Sequence, residues 1–99
     1  MTDFRQLVFD IVAQIPKGKV STYQNIAKMI GKPRAYRAVG NTLNQNYNKN
    51  VPCHRVIRSN GQVGGFRGGT KKKIAILKQE GVAIKNKTVD LDVFDWNFS

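Results

Sequence analysis

Acidic side chains are scarce in this chain and absent from its centre. Its 99 residues carry six carboxylates, Asp3, Asp10, Glu80, Asp90, Asp92 and Asp95, against 17 Lys and Arg, for a net charge of +11. None of the six lies between residues 11 and 79, where 14 of the basic residues fall. A polyanionic partner offsets the self-repulsion of such a block, and nucleic acid is the partner that fits. A basic surface that only aids solubility would not require carboxylates to be excluded so cleanly. Cysteine and histidine are equally sparse, one of each. A single cysteine forms no internal disulfide, and one Cys with one His falls short of a structural zinc set, so we expect a reducing compartment and no metal. No apolar run approaches the roughly 18 residues of a membrane span. The start, Met1 to Arg5, lacks a signal-peptide layout. The expectation is an intracellular protein without membrane contact, cytoplasmic and nucleoid-associated if prokaryotic. Length and a 40% hydrophobic content fit one domain over residues 1–99, with no repeat, linker or low-complexity tail.

What is present is mostly helical pattern. Phe4, Leu7, Val8, Ile11, Val12 and Ile15 follow helical spacing and predict a first helix, stopped by Pro16 and Gly18. Ser21-Thr22-Tyr23-Gln24 reads as a capping box opening a second helix, with Ile26, Ala27 and Ile30 inward and Gly31 as its stop. Pro33 suits the first turn of a third helix, with Ala35, Ala38, Val39 and Leu43 inward and Arg34, Arg37, Asn41 and Asn44 outward. Two short helices joined at Gly31-Lys32-Pro33 suggest a helix-turn-helix with the third helix as reader. Residues 45–50 are Asn-rich loop, and 51–57 short extended or turn structure. Thr70 can cap a fourth helix running to Glu80, with Ile74 and Leu77 inward and Gly81 beyond its end. Val89, Leu91 and Val93 alternate with Asp90 and Asp92, which predicts a short strand. Lys71, Lys72 and Lys73 fit phosphate contact or simple solubility equally well, and Met29 and Trp96 fit core or rim packing.

The chemistry concentrates at Val51-Pro52-Cys53-His54-Arg55-Val56, where the only cysteine and the only histidine are adjacent in an acid-free, Arg-bearing stretch. A thiol attacks only as thiolate, about 3% of the population at pH 7 for a pKa of ~8.5, unless nearby cations or a base favour ionisation. Adjacent side chains diverge in an extended segment, so His54 would reach Cys53 through a water. An inert, buried cysteine is the other reading.

Pro52-Cys53-His54-Arg55-Val56, followed by Gly64-Gly65-Phe66-Arg67-Gly68-Gly69, resembles the active-site segment of the O6-alkylguanine-DNA alkyltransferases. Val20-Ser21-Thr22-Tyr23-Gln24, Arg37-Ala38-Val39-Gly40 and Lys78-Gln79-Glu80-Gly81 extend the match over roughly residues 4 to 85. The resemblance is to the C-terminal DNA-binding and active-site domain of that family. It implies a mostly α fold with short strands, a winged-helix-like helix-turn-helix domain. It implies a monomer acting on double-stranded DNA containing O6-alkylguanine, without a cofactor. Transfer of the alkyl group to Cys53 would be direct, stoichiometric and irreversible.

Residue roles follow from the same resemblance. Cys53 is the implied nucleophile, His54 its water-mediated base and Glu80 the carboxylate that orients His54, in the logic of a hydrolase triad. Asn46 would brace the helix-turn-helix against the active-site loop. Arg37 would fill the gap left by the extruded guanine, and Tyr23 would crowd the adjacent phosphate with its hydroxyl near the flipped base. The third helix would enter the minor groove, where Arg34, Asn41 and the small Ala35, Ala38 and Gly40 suit close approach. Pro52, Val56, Gly64, Gly65, Phe66 and Arg67 would form the substrate pocket, its glycines letting backbone lie close to a flat base. The sequence departs from the family at Phe66, commonly tyrosine, and at Tyr36, usually small. Most relatives also carry a further domain ahead of the first helix, which these residues do not include. Two rivals remain: a lesion-binding module without transfer, which typically replaces the cysteine, often with tryptophan, and a transcription regulator. Cys53, His54 and Glu80 together disfavour the first, and the second leaves Cys53-His54 unexplained.

Overall fold

Asp3 opens the first helix by accepting the Gln6 amide at 2.8 Å. The computed structural model describes residues 3–45, 50–65 and 69–96. In it α1 spans Phe4–Val12 and buries Val8 and Val12. It stops short of the predicted Ile15, but consecutive turns carry Ile15 into the core all the same, 1% exposed.

The cap of α2 (Tyr23–Ile30) is Thr22, whose hydroxyl accepts the Asn25 amide. The predicted Ser21–Gln24 box does not form, because Ser21 and Thr22 are the short strand β1 and the helix begins one residue later. Gly31 ends α2 at φ 87, a left-handed position that glycine takes without strain. Residues 33–35 form a turn rather than a first helical turn, so α3 is Tyr36–Asn44 with Ala35 as its cap. Val39 and Leu43 face inward as predicted, but Ala38 is exposed and belongs to the outer face with Arg34, Arg37 and Asn41. α1, α2 and α3 pack together around Val8, Val12, Ile15, Ile26, Val39 and Leu43.

A 3-10 turn at Cys53–Arg55 leads into β2, Val56–Ile57. β2 pairs in parallel with β1, Ser21 beside Val56 and Thr22 beside Ile57. Successive strand residues face opposite sides. Val56 therefore enters the helical cluster, while Ile57 enters a second cluster with Val20, Val63, Leu77, Val82 and Val89. α4 (Thr70–Gln79) packs against the Cys53 turn. Its cap is Gly69, not Thr70, whose hydroxyl instead donates to the Gly64 carbonyl.

The predicted strand over 89–93 is replaced by a hairpin and a helical turn. β3 (Ile84–Lys85) and β4 (Thr88–Val89) are antiparallel, joined by Asn86 and Lys87, both at positive φ. Leu91–Phe94 is the short helix α5, opened by Asp90 accepting the Asp92 amide. Backbone bonds between Val20 and both Phe94 and Trp96 dock the end of α5 and the residues just after it beside β1. The architecture is mostly helical with short strands, the packed α1, α2 and α3 followed by α4 and a small hairpin. Among the described residues no helix is long and apolar enough to cross a membrane.

Candidate active site and nucleic-acid interface

The parallel β1–β2 pairing sets the site. It places the first residue of α2, Tyr23, beside the turn that carries Cys53. Cys53 is partly buried and packs against the helical cluster. α4 approaches the turn from the other side with two residues seven apart, Lys73 and Glu80, which fall on one helical face.

Glu80 lies just past the end of α4, and both its carboxylate oxygens stand 3.1 Å from His54 Nε2. A carboxylate only accepts, so the imidazole proton sits on Nε2 and Nδ1 keeps a free lone pair. The sequence had paired these two residues only through resemblance. It missed Arg55, which donates from Nε and Nη2 to the same carboxylate at 3.0 and 2.6 Å and from Nη1 to the Ile15 carbonyl at 2.8 Å. Burial lowers the His54 pKa below its usual 6.5, against the pull of Glu80, so the imidazole is neutral at pH 7. Burial pushes Glu80 up, but its bonds to Arg55 and His54 outweigh that and hold it below the ordinary carboxylate value.

Lys73 is the larger omission. Its side chain is fully buried, whereas the sequence offered only phosphate contact or solubility. Nζ donates to the carbonyls of Val56 at 2.8 Å and Gly65 at 3.1 Å, and to the Tyr23 hydroxyl at 3.5 Å. It also stands 5.7 Å from the Tyr23 ring centre. Lys73, Leu77 and Glu80 recur at i, i+4 and i+7, and that stripe was the signal that could have placed Lys73 inside. Burial lowers its pKa to about 8, against the opposing charge interaction with Cys53. Burial likewise raises Tyr23 above 10.0, aided by Cys53, so its hydroxyl keeps its proton.

A lysine titrating near 8 when folded and 10.5 when unfolded adds stability fully above 10.5, and loses it as pH falls through 8. Between pH 8 and 10.5 the wild type should therefore gain about 3 kcal/mol over Lys73→Met. Denaturant melts at several pH values measure this difference. Parallel curves for the two proteins would show that Lys73 is not held in the interior.

On the outer face, Arg34, Arg37, Ala38 and Asn41 are exposed, and Ala35 is half-exposed. Gly40 turns the other way. A Cβ there would stand 3.8 Å from the Tyr23 ring, so its small size serves helix packing. Tyr23, Tyr36, Arg37, Arg58 and Asn60 line a cleft of about 660 Å³ between α2, α3 and the turn after β2. Of the predicted pocket residues, Pro52 is half-buried, Val56 is wholly inside the helical core, and Gly64 and Gly65 lie at the partly open edge. Asn46, Phe66 and Arg67 lie outside the described residues.

The model of the family "6-O-methylguanine DNA methyltransferase, DNA binding domain" matches residues 3–82. A methylated-DNA–protein-cysteine methyltransferase of Methanosarcina barkeri is 48% identical over 80 residues, 80% of this chain and 51% of that protein. A bifunctional methyltransferase/endonuclease of Picrophilus torridus is 36% identical over 96 residues, 96% of this chain and 32% of that protein. The chain thus spans about half or less of these curated relatives. Among solved structures, S. pombe Atl1 in complex with damaged DNA containing O6-carboxymethylguanine superposes with a TM-score of 0.88 at 34% identity, covering 98% of this chain and 97% of that one. Mycobacterium tuberculosis OGT in complex with DNA gives 0.77 at 43% identity, covering 82% and 50%. With 80 of its 99 residues matched, the chain belongs to the family of the 6-O-methylguanine DNA methyltransferase DNA-binding domain.

Proposed function

We propose that this chain is the DNA-binding and active-site unit of an O6-alkylguanine repair protein, equivalent to the C-terminal domain of its longer relatives and acting as one domain. It takes the alkyl group onto Cys53 and does so once. The observation that carries this reading is the His54–Glu80 pair beside the only cysteine. Nδ1 of His54 accepts the thiol proton through a water, and Glu80 stabilises the imidazolium that results. Cys53 Sγ displaces the alkyl carbon from O6, forming a thioether as the carbon–oxygen bond breaks. Tyr23, which keeps its proton, donates to the departing guanine. The thioether is a poor leaving group, so turnover ends there.

The exposed face of α3 is the duplex contact in this reading. Arg37 fills the space of the extruded base, Arg34 and Asn41 hold the strands, and Ala35 and Ala38 allow close approach. A second reading, lesion binding without transfer, draws support from the near end-to-end superposition on Atl1.

Intact-mass measurement with excess O6-methylguanine duplex separates the two. Transfer adds one methyl group per chain, mapped to Cys53, and then stops. An unchanged mass, with tighter binding to the lesion duplex than to undamaged DNA, establishes the binding module instead.

A further inference from the structure

The β3–β4 hairpin is held more firmly than two short strands would be alone, because β4 is bonded along both edges. One edge pairs with β3. The other meets the segment after Arg58. There the Val89 amide donates to the Gly61 carbonyl at 2.8 Å, and the Val63 amide donates to the Lys87 carbonyl at 2.9 Å. Gln62 and Thr88 form an antiparallel bridge between them. Gly61 makes this approach possible. It sits at φ 90, and a Cβ there would stand 2.7 Å from the Val89 carbonyl oxygen. The segment so gripped leaves the turn of Arg58, Ser59 and Asn60, which walls the cleft that Tyr23 and Arg37 also line. The hairpin therefore stands one strand spacing, about 4.8 Å, from the chain that leaves that wall.

The outward residues of the hairpin are Lys85, Asn86 and Lys87, all exposed. Among the described residues neither lysine makes an ion pair, and Asp90, the next carboxylate along the chain, is occupied in capping α5. Lys87 also holds a position that stability would give to another residue. It is second in a two-residue turn at φ 61, a left-handed conformation that glycine favours and a Cβ penalises. Its only backbone task there, offering a carbonyl to Val63, glycine would perform as well. Stability alone does not account for a cation at that place.

We propose that the tip of this hairpin is a second phosphate-binding element, in which Lys85 and Lys87 hold the DNA backbone outside the contact made by α3. This role rests on the reading of α3 as the duplex contact and extends it. The hairpin lies beyond residue 82, where the match to the family model ends, so the contact is added to those of the matched domain. Two cations on a rigid turn suit phosphate oxygens and read no base, so they strengthen binding to damaged and undamaged duplex alike.

The test is a salt series of binding isotherms on the full chain, with undamaged and O6-methylguanine duplexes, beside denaturant melts. The double variant Lys85→Gln, Lys87→Gln should flatten the log–log salt slope by about 1.8 on both duplexes, the share of two phosphates. Lys87→Gly should move stability and affinity in opposite directions. Its denaturant midpoint should rise as the left-handed strain is relieved, while affinity falls about fivefold at about 0.15 M salt, the share of one phosphate. Lys17→Gln removes an equal charge from an exposed position off the hairpin and off the cleft, and should keep the wild-type slope. A wild-type slope in the double variant overturns the proposal. So does a Lys87→Gly protein that binds as the wild type or melts before it, and so does a loss in Lys17→Gln equal to that in Lys87→Gly, which would reduce the effect to net charge. A wild type whose binding ignores salt would remove the α3 contact as well, an outcome distinct from variants that merely match a salt-dependent wild type.

Discussion

Cys53→Ser will bind an O6-alkylguanine duplex about as tightly as the wild type and will gain no mass from it, however long the incubation. Serine replaces one sulfur by oxygen, and Cys53 packs only partly against the helical cluster, so the fold and the α3 face are undisturbed. The chemistry is not spared. A serine hydroxyl is far less ionised than a thiol near neutral pH, and oxygen is the poorer nucleophile toward saturated carbon. A histidine held neutral by burial is too weak a base to make up that gap. Loss of a nucleophile in a comparable relay costs on the order of 10⁶-fold, which places the variant below detection. Gel shift and intact mass on the same sample give both readings. Serine protein that acquires the alkyl group would move the nucleophile away from residue 53.

The part of this site that was readable in sequence is the part built from neighbours in the chain. Cys53 and His54 are adjacent, and their isolation in an acid-free stretch marks them without any structure. The helices were legible because Val8, Val12, Ile26, Val39 and Leu43 recur at helical spacing. Their ends were less so. Thr22 rather than Ser21 caps α2 because strand pairing with Val56 claims Ser21, a contact 35 positions away. The β3–β4 hairpin was missed because Asn86-Lys87 lacks the glycine that usually marks such a turn. Val89, Leu91 and Val93 looked like one strand, but Asp90 caps a helix in their midst.

Polar residues that turn inward were the hardest to place. Lys73 stands between two other lysines at a helix start, the place where a cation is normally solvated. Only the tertiary arrangement supplies the Val56 and Gly65 carbonyls that let it be buried. Arg55 sits inside the most conspicuous motif of the chain, yet its partner is 25 residues on and shared with His54. That sharing has a consequence for any change at Glu80.

Glu80→Gln will lose stability and transfer together, and the two losses have different causes. The wild-type carboxylate accepts from His54 Nε2 and from two nitrogens of Arg55. Glutamine offers one carbonyl oxygen, and its amide nitrogen faces donors. The Arg55 guanidinium is left half-paired with only the Ile15 carbonyl as a full partner. Breaking a buried pair costs about 3–5 kcal/mol, and the low end applies because the two side chains are 16% and 10% exposed. Transfer falls because nothing anionic stabilises the imidazolium, a loss of about 10²–10³-fold for a general base so weakened. The pH profile carries the distinction. Transfer needs neutral His54, so its rate rises with pH through the His54 pKa. In the wild type that limb lies below 6.5 because burial lowers the pKa while Glu80 partly restores it. Without the carboxylate the limb moves to still lower pH and levels off at a lower rate. Arg55→Met is the companion variant. It removes the guanidinium but leaves Glu80 free to hold His54, so it should match Glu80→Gln in lost stability while keeping most of the transfer rate. Single-turnover rates across pH, with denaturant melts of both variants, give the two readouts. A Glu80→Gln protein that melts early yet transfers at the wild-type rate with an unmoved limb would reduce Glu80 to an anchor for Arg55.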